Sequence, residues 1–102
     1  MYELKREPTH PGVILREEFV EPLGLTQTGL AEKLRTTFRT VNEIMNGKRN
    51  VSPDMALRLA RFFGTSEELW LNLQDQYDLH KARRKNKDLL KAIKPYRQAV
   101  GV

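Results

Sequence analysis

The sequence predicts an all-α protein, and two observations support that class. Apolar residues recur at the three- and four-residue spacing of amphipathic helices, while no segment alternates apolar and polar residues as a half-buried strand does. Helix start and stop signals also divide the 102 residues into short segments, opened by Thr, Ser or Pro and closed by Gly or Pro. We therefore predict five helices and a weaker sixth, in one small domain with an appendage.

The first two helices are predicted from their boundaries. In THPGVILREEFVEPLG, Pro11 stands near the helix start, where its missing N–H costs little, and Gly24 follows the end. Thr26 is a good N-cap for the second helix, whose inner face carries Leu30. Gly29 weakens this helix by roughly 1 kcal/mol relative to alanine. The second helix therefore needs support from its neighbours.

The third and fourth helices carry clear punctuation. The third begins at Thr37 and ends at Gly47, and it directs Val41 and Ile44 inward. In the fourth, SPDMALRLARFFG, the serine caps, the proline takes the first helical position and Gly64 closes the helix.

The fifth helix is predicted over TSEELWLNLQDQYDLHKARR. Thr65 and Glu68 match the S/T-x-x-E pattern of a capping box. In the apolar stripe that follows, we expect Trp70 and Leu73 to belong to the core. We expect Tyr77, together with the LLKAI segment of the sixth helix, to find few partners within the chain and to form the two-fold contact of a homodimer.

Composition limits the functions open to the chain. It has no cysteine, which excludes a disulfide framework, a zinc finger and a thiol nucleophile. It has no apolar run of membrane-spanning length and no signal peptide, so we expect a cytoplasmic protein without membrane contact. The net charge of +5 is uneven: residues 33–49 hold five bases and one acid, and residues 81–97 hold eight bases and one acid. This distribution favours a polyanion partner.

Two short helices joined by LRTT form a helix-turn-helix unit, in which the second helix enters the major groove of DNA. A helical wheel at about 100° per residue tests this interpretation. Val41 and Ile44 define its inward direction, and Phe38 lies at the boundary. The opposite direction gathers Arg39, Asn42, Glu43 and Asn46.

These side chains match known modes of base readout, with alternatives for each. Arg39 suits guanine and Asn42 suits adenine, whereas Glu43 either accepts from cytosine or orients Arg39 across one turn. Phe38 either contacts a thymine methyl or is a semi-buried packing residue. Arg39 could also be an ordinary solvated arginine, and Asn46 carries a weak signal by itself.

The segments LTQTGLAEKL and TVNEIMNGKRNVSPDMALRLARFFGTS resemble the XRE/Cro-type helix-turn-helix regulators. More narrowly, PTHPGVILREEFVEPLGL and NGKRNVSPDMALRLARFFGTSEELWLNLQDQYDL resemble HigA-type antitoxins, also called VapI-like. The resemblance implies a five-helix, lambda-repressor-like DNA-binding domain over residues 1–84. A basic C-terminal extension, helical or partly disordered, would follow over residues 85–102.

The resemblance also implies partners and residue roles. The partners would be double-stranded operator DNA and a HigB-type mRNA-cleaving toxin, which the antitoxin neutralises while repressing their shared operon. Gln27 matches a glutamine that binds a phosphate and braces the recognition helix. The family positions that contact bases correspond to Thr37, Phe38, Arg39 and Glu43. The family loop that binds the DNA backbone corresponds to Asn46, Lys48 and Arg49.

Two departures concern the turn between the second and third helices. Many relatives have glycine where this chain has Arg35, so either the arginine is held in a left-handed conformation or the turn has changed shape. Thr36 replaces a usual aliphatic residue, which predicts a looser corner. If a toxin docks by charge, the candidate surface is the acidic front, Glu17, Glu18 and Glu21.

Three rival functions remain open at this point. The same domain occurs in stand-alone transcriptional regulators. A toxin-type reading frame directly beside the gene would distinguish an antitoxin from such a regulator. An RNA-binding protein could use the basic tail (Lys81, Arg83, Arg84, Lys85 and Lys87) and would be insensitive to Arg39→Ala. An enzyme is least favoured, because His10 and His80 stand far apart without a nucleophile or metal motif. We predict no enzyme activity, no cofactor and no metal site.

Overall fold

The computed structural model describes residues 7–96 and is built from helices. α1 (Pro11–Ile14) continues directly into a π-helical segment (Leu15–Val20). The later helices are α2 (Gln27–Lys33), α3 (Phe38–Met45), α4 (Pro53–Phe63), α5 (Glu67–Lys85) and α6 (Lys87–Ala92). The described part of the chain contains no strand, and the predicted all-α class is confirmed.

Side-chain caps fix most helix starts. The hydroxyls of Thr26, Thr37 and Ser52 cap α2, α3 and α4. Each accepts a hydrogen bond from the backbone amide three residues later. The predicted capping box in α5 is wrong by one position, because Ser66 caps the helix by accepting from the Leu69 amide at 3.1 Å. The Thr65 hydroxyl instead accepts from the indole nitrogen of Trp70 at 2.8 Å.

The core lies where the π-helical segment, α4 and α5 converge on the helix-turn-helix unit. Trp70 is fully buried, and the ring of Phe19 lies against Trp70 and Phe63 at centroid distances of 5.2 and 4.8 Å. The largest buried side chains around them are Leu15, Leu30, Val41, Ile44 and Leu59. The predicted core roles of Trp70 and of the partly buried Leu73 are confirmed.

α1 packs unusually close to α3. A Cβ atom added to Gly12 would stand 1.7 Å from the Ile44 carbonyl oxygen, so only glycine fits there. His10 caps α1 by accepting from the Gly12 amide at its Nδ1, at 2.8 Å. The expectation that His10 belongs to a helix start is therefore confirmed.

The C-terminal helices leave the core. Tyr77 does have intramolecular partners, contrary to expectation, because His10 meets its ring edge-on at 5.0 Å and the Lys81 ammonium lies 5.2 Å from its centroid. α6 exposes Leu89 and Leu90. The last residues of the predicted extension, 97–102, lie outside the described residues. Between residues 7 and 96, no helix combines the length and apolarity needed to cross a bilayer.

Candidate nucleic-acid interface

α2 and α3 meet at a hydrogen-bonded corner. The Thr36 amide donates to the Ala31 carbonyl at 2.9 Å and the Arg35 amide donates to the Glu32 carbonyl at 3.1 Å, which is the Schellman pattern of a helix end. The pattern places Arg35 in the left-handed region, with φ of 58°. Of the two alternatives for this turn, the strained arginine is the one observed, at a cost of about 1–2 kcal/mol.

α3 has one buried and one exposed face. Val41, Ile44 and Met45 are buried, as the helical wheel predicted for the first two. Phe38 is half exposed, and the side chain of Arg39 is 83% exposed. Asn42 and Glu43 are partly buried at the edge of the α3 surface, and Asn46 at the helix end is exposed.

A chain of amide hydrogen bonds joins α2 to the exposed face of α3. Asn42 donates from Nδ2 to Oε1 of Gln27 at 2.9 Å, and Asn46 donates to Oδ1 of Asn42 at 3.1 Å. Gln27, at the first position of α2, therefore braces α3 through Asn42. Both polar ends of the Asn42 amide are engaged, so bidentate binding to adenine would require these bonds to break.

Glu43 is held between two arginines. Its Oε2 accepts from Nε of Arg39 at 3.0 Å, and its Oε1 accepts from Nε and Nη2 of Arg49 at 2.9 and 2.6 Å. Hydrogen bonds from Arg39 and then from Arg49 hold the pKa of Glu43 below its ordinary value. The carboxylate is thus occupied in orienting Arg39, which is one of the two roles considered for it.

The loop after α3 holds the remaining candidate residues. Lys48 and Arg49 are exposed, and the Lys48 amide closes the end of α3 by donating to the Glu43 carbonyl at 2.8 Å. Thr37, at the other end of α3, uses its hydroxyl for the helix cap and also donates to the Thr40 hydroxyl at 2.9 Å. All nine candidate residues therefore lie on α3, at its two ends or at the start of α2.

Two residues that support this surface were missed in the sequence analysis. Arg58 of α4 donates to the carbonyls of Leu34 and Arg35, and Arg16 donates to the carbonyl of Met45 at the end of α3. The signal for Arg58 was present but ambiguous, because an arginine four residues after Asp54 is also an ordinary surface ion pair.

The fold and this surface define a helix-turn-helix domain. The family model described as "Helix-turn-helix" matches residues 15–70, more than half of the chain. The chain belongs to the helix-turn-helix family.

Its relatives narrow the assignment. It is 37% identical over 95 residues to "Antitoxin HigA-1" of Vibrio cholerae, which covers 93% of this chain and 90% of the relative. It is 45% identical over 75 residues to "Virulence-associated protein I" of Dichelobacter nodosus, covering 74% of this chain and 69% of the relative. Among solved structures, the Pseudomonas aeruginosa antitoxin HigA with the higBA promoter matches with a TM-score of 0.83 at 43% identity, covering 86% of this chain and 97% of that one.

Within the helix-turn-helix family, the chain groups with the HigA-type antitoxins and the VapI-like proteins. This confirms the family resemblance that was recognised from the sequence.

Proposed function

We propose that the chain is a cytoplasmic antitoxin that binds operator DNA through α3, represses its own operon and neutralises a HigB-type mRNA-cleaving toxin. Its activity is binding rather than catalysis. The observation that carries the proposal is the outer face of α3, where polar side chains are held in place by one another and by α2 but bury no core. Base readout in the major groove uses such a face.

Each candidate residue receives a role in this proposal. Arg39, oriented by Glu43, reads a guanine, and Phe38 offers its ring to a thymine methyl. The Nε2 group of Gln27, which makes no hydrogen bond within residues 7–96, donates to a phosphate. Thr37 contacts a base at the start of α3, and the phosphate backbone is contacted further by the loop after α3: Asn46, Lys48 and Arg49. Asn42 links Gln27 to Asn46.

Operator binding is tested by titrating the protein with its own upstream duplex and with a shuffled duplex at physiological salt. We expect a preference of about a thousandfold or more for the upstream duplex. Equal, salt-sensitive binding to both duplexes would contradict sequence-specific repression and would favour the RNA-binding alternative.

Arg39→Ala separates base readout from charge. We expect a loss of roughly 1–3 kcal/mol in operator binding and relaxed specificity at one base position. An equal loss on every sequence would remove Arg39 from the base-reading set. Lys48→Ala is the comparison variant, because loss of a phosphate contact weakens all DNA alike and reduces the salt slope by about one unit.

The toxin surface is proposed at the acidic front. Glu17 and Glu18 are exposed and line, with Glu7, a cleft of about 480 Å³ whose apolar wall includes Val13 and Leu73. Glu7 is paired with Arg84 at 3.0 Å and Glu17 lies 3.7 Å from Arg16. The remaining negative charge of this surface complements a protein that itself binds RNA. Glu17→Lys combined with Glu18→Lys should abolish co-purification with the toxin from the neighbouring reading frame and leave operator binding intact. If no such reading frame adjoins the gene, the stand-alone regulator becomes the better proposal.

A homodimer completes the operator-binding unit. We propose that the apolar side chains of α6 and of Ile93 just after it form the contact between two copies, since Leu89, Leu90 and Ile93 are all exposed. Two copies would place their recognition helices about 34–36 Å apart, which matches half-sites one helical turn apart. The basic extension over residues 85–102, beyond a DNA-binding domain of residues 1–84, would add non-specific affinity for phosphates.

A further inference from the structure

Arg58 joins α4 to the corner between α2 and α3. Its Nη1 donates to the carbonyl oxygens of Leu34 and Arg35 at 2.9 and 2.8 Å. Its Nε lies 3.0 Å from Oδ2 of Asp54, one turn earlier on α4. One guanidinium therefore holds two backbone carbonyls on one side and a carboxylate on the other.

The two carbonyls are ones that the end of a helix leaves without backbone partners. Leu34 is the C-cap of α2, and Arg35 follows in the left-handed conformation. A positive group at this end is also favoured by the dipole of α2. The Nη1 group serves both carbonyls while the Nε group faces Asp54, which fixes the orientation of the guanidinium. A lysine ammonium has a single nitrogen and cannot hold all three partners in this geometry.

The corner held by Arg58 determines where α3 begins. Thr37, the N-cap of α3, lies two residues after Arg35, and the exposed Phe38 and Arg39 follow immediately. A shift of the Leu34 and Arg35 carbonyls therefore changes the direction in which α3 presents these side chains. Because Arg35 strains the corner, an external support is needed there more than at a corner that contains glycine.

We infer that Arg58 is a positioning residue for operator recognition: through the carbonyls of Leu34 and Arg35 it fixes the angle of α3 and so the register of Arg39 on the operator. This inference rests on the proposed DNA-binding function. Arg58 acts through the backbone and touches no DNA in this role. Asp54 contributes by orienting the guanidinium.

The experiment compares Arg58→Lys with Arg61→Lys, both of which keep the charge of α4. Arg61 is the matched control because it is exposed in the last turn of the same helix. For each protein we would measure binding to the upstream duplex and the shuffled duplex over a salt series. Thermal unfolding would confirm that each variant is folded at the binding temperature, and hydrogen exchange would follow the Thr36 amide.

We expect Arg58→Lys to weaken operator binding by about tenfold, since charge-assisted hydrogen bonds of this kind are lost. Binding to the shuffled duplex and the salt slope should stay unchanged, the Thr36 amide should exchange faster, and Arg61→Lys should behave as the unmodified protein. Adding Arg35→Gly to Arg58→Lys should restore most of the operator affinity, because glycine removes the strain at the corner.

Three outcomes would overturn the inference. An equal loss on both duplexes with a salt slope lowered by about one would make Arg58 a phosphate contact instead. A lower melting temperature with unchanged operator binding and unchanged Thr36 exchange would leave it a merely stabilising residue. If the unmodified protein fails to distinguish the duplexes, the proposed function itself fails. In that case the Thr36 exchange would still report whether Arg58 braces the corner.

Discussion

α2 and α3 each end in a corner with the same hydrogen-bond pattern. The residue in the left-handed conformation differs between the two corners. At the end of α2 that residue is Arg35, with φ of 58°, and at the end of α3 it is Gly47, with φ of 74°. The Gly47 amide donates to the Ile44 carbonyl at 3.0 Å and the Lys48 amide to the Glu43 carbonyl at 2.8 Å, which repeats the Schellman pattern. The same backbone conformation therefore carries left-handed strain at Arg35 and no such strain at Gly47.

The two corners are also supported differently. Arg58 supports the α2 corner with charged hydrogen bonds at the surface. The α3 corner is supported by α1, through the close contact of Gly12 with Ile44 and through the buried ring of His10 beside Gly47. Close packing, with one added hydrogen bond from Arg16 to the Met45 carbonyl at 3.3 Å, fixes the C-terminal end of α3, whereas the hydrogen bonds of Arg58 fix its N-terminal, DNA-facing end. The DNA-facing end is consequently the one that a single surface substitution can reorient.

The largest expected effect comes from Gly12→Ala, which disrupts the close packing of α1 against the C-terminal end of α3. The added Cβ would meet the Ile44 carbonyl oxygen at 1.7 Å, so α1 and α3 must separate. We expect a loss of about 3 kcal/mol in the free energy of unfolding, measured by urea denaturation. Gly29→Ala is the control, because its Cβ would meet only the Thr26 hydroxyl, at 2.9 Å. Equal losses in both variants would contradict the close packing.

Gly47→Ala tests the cost of the left-handed position alone. The added Cβ would find the His10 ring at 3.8 Å, an ordinary contact, so strain remains as the only penalty. We expect a loss of about 1–2 kcal/mol in the free energy of unfolding. A loss close to zero would mean that this corner can change shape without cost.

Arg35→Gly is the opposite substitution at the other corner and should stabilise the protein. Relief of the left-handed strain is worth about 1–2 kcal/mol, and the greater freedom of glycine in the unfolded chain offsets part of it. We expect a net gain of about 1 kcal/mol in the same denaturation measurement. If the variant is instead less stable, the Arg35 side chain must contribute contacts that outweigh the strain.

The comparison also shows what sequence reasoning could reach. Local signals predicted the caps at Thr26 and Ser52, the start of α3 at Thr37 and the buried face of α3, because each depends on residues a few positions apart. The contact of Arg58 with Leu34 spans 24 positions, and it depends on how α4 packs against the corner. Side-chain periodicity carries no information on such a contact.

The same limit explains the errors around α5. The predicted cap at Thr65 fitted the motif, but the threonine hydroxyl serves Trp70, whose position is set by the core. Tyr77 was expected to find few partners within the chain, because nothing in its own helix reveals the approach of His10. The candidate DNA surface was easier to predict, because the face that it needs lies on one short helix.

The smallest expected effect is a pH dependence of the free energy of unfolding. It comes from His10, whose buried ring lies beside Gly47 at the C-terminal corner of α3. Burial lowers the pKa of His10 below its ordinary 6.5; Lys81 acts in the same direction and Asp78 opposes it. The folded protein therefore binds fewer protons than the unfolded chain between the lowered pKa and pH 6.5. We expect the free energy of unfolding to be fully retained above this window and to fall as the pH drops through it.

His10→Asn should remove this dependence, because an asparagine oxygen can accept from the Gly12 amide without titrating. His80→Asn, a substitution at the other histidine, which is partly buried on α5, should retain it. Urea denaturation at and below pH 6.5 measures the slope for each protein, and any contribution of Glu43, whose pKa is lowered by hydrogen bonds from Arg39 and Arg49, is common to both variants. If the unmodified protein and His10→Asn lose the same stability, the titrating group lies elsewhere. If only His10→Asn is insensitive to pH, the imidazole beside the α3 corner is neutral in the folded protein, whereas the α2 corner is held by the permanent charge of Arg58.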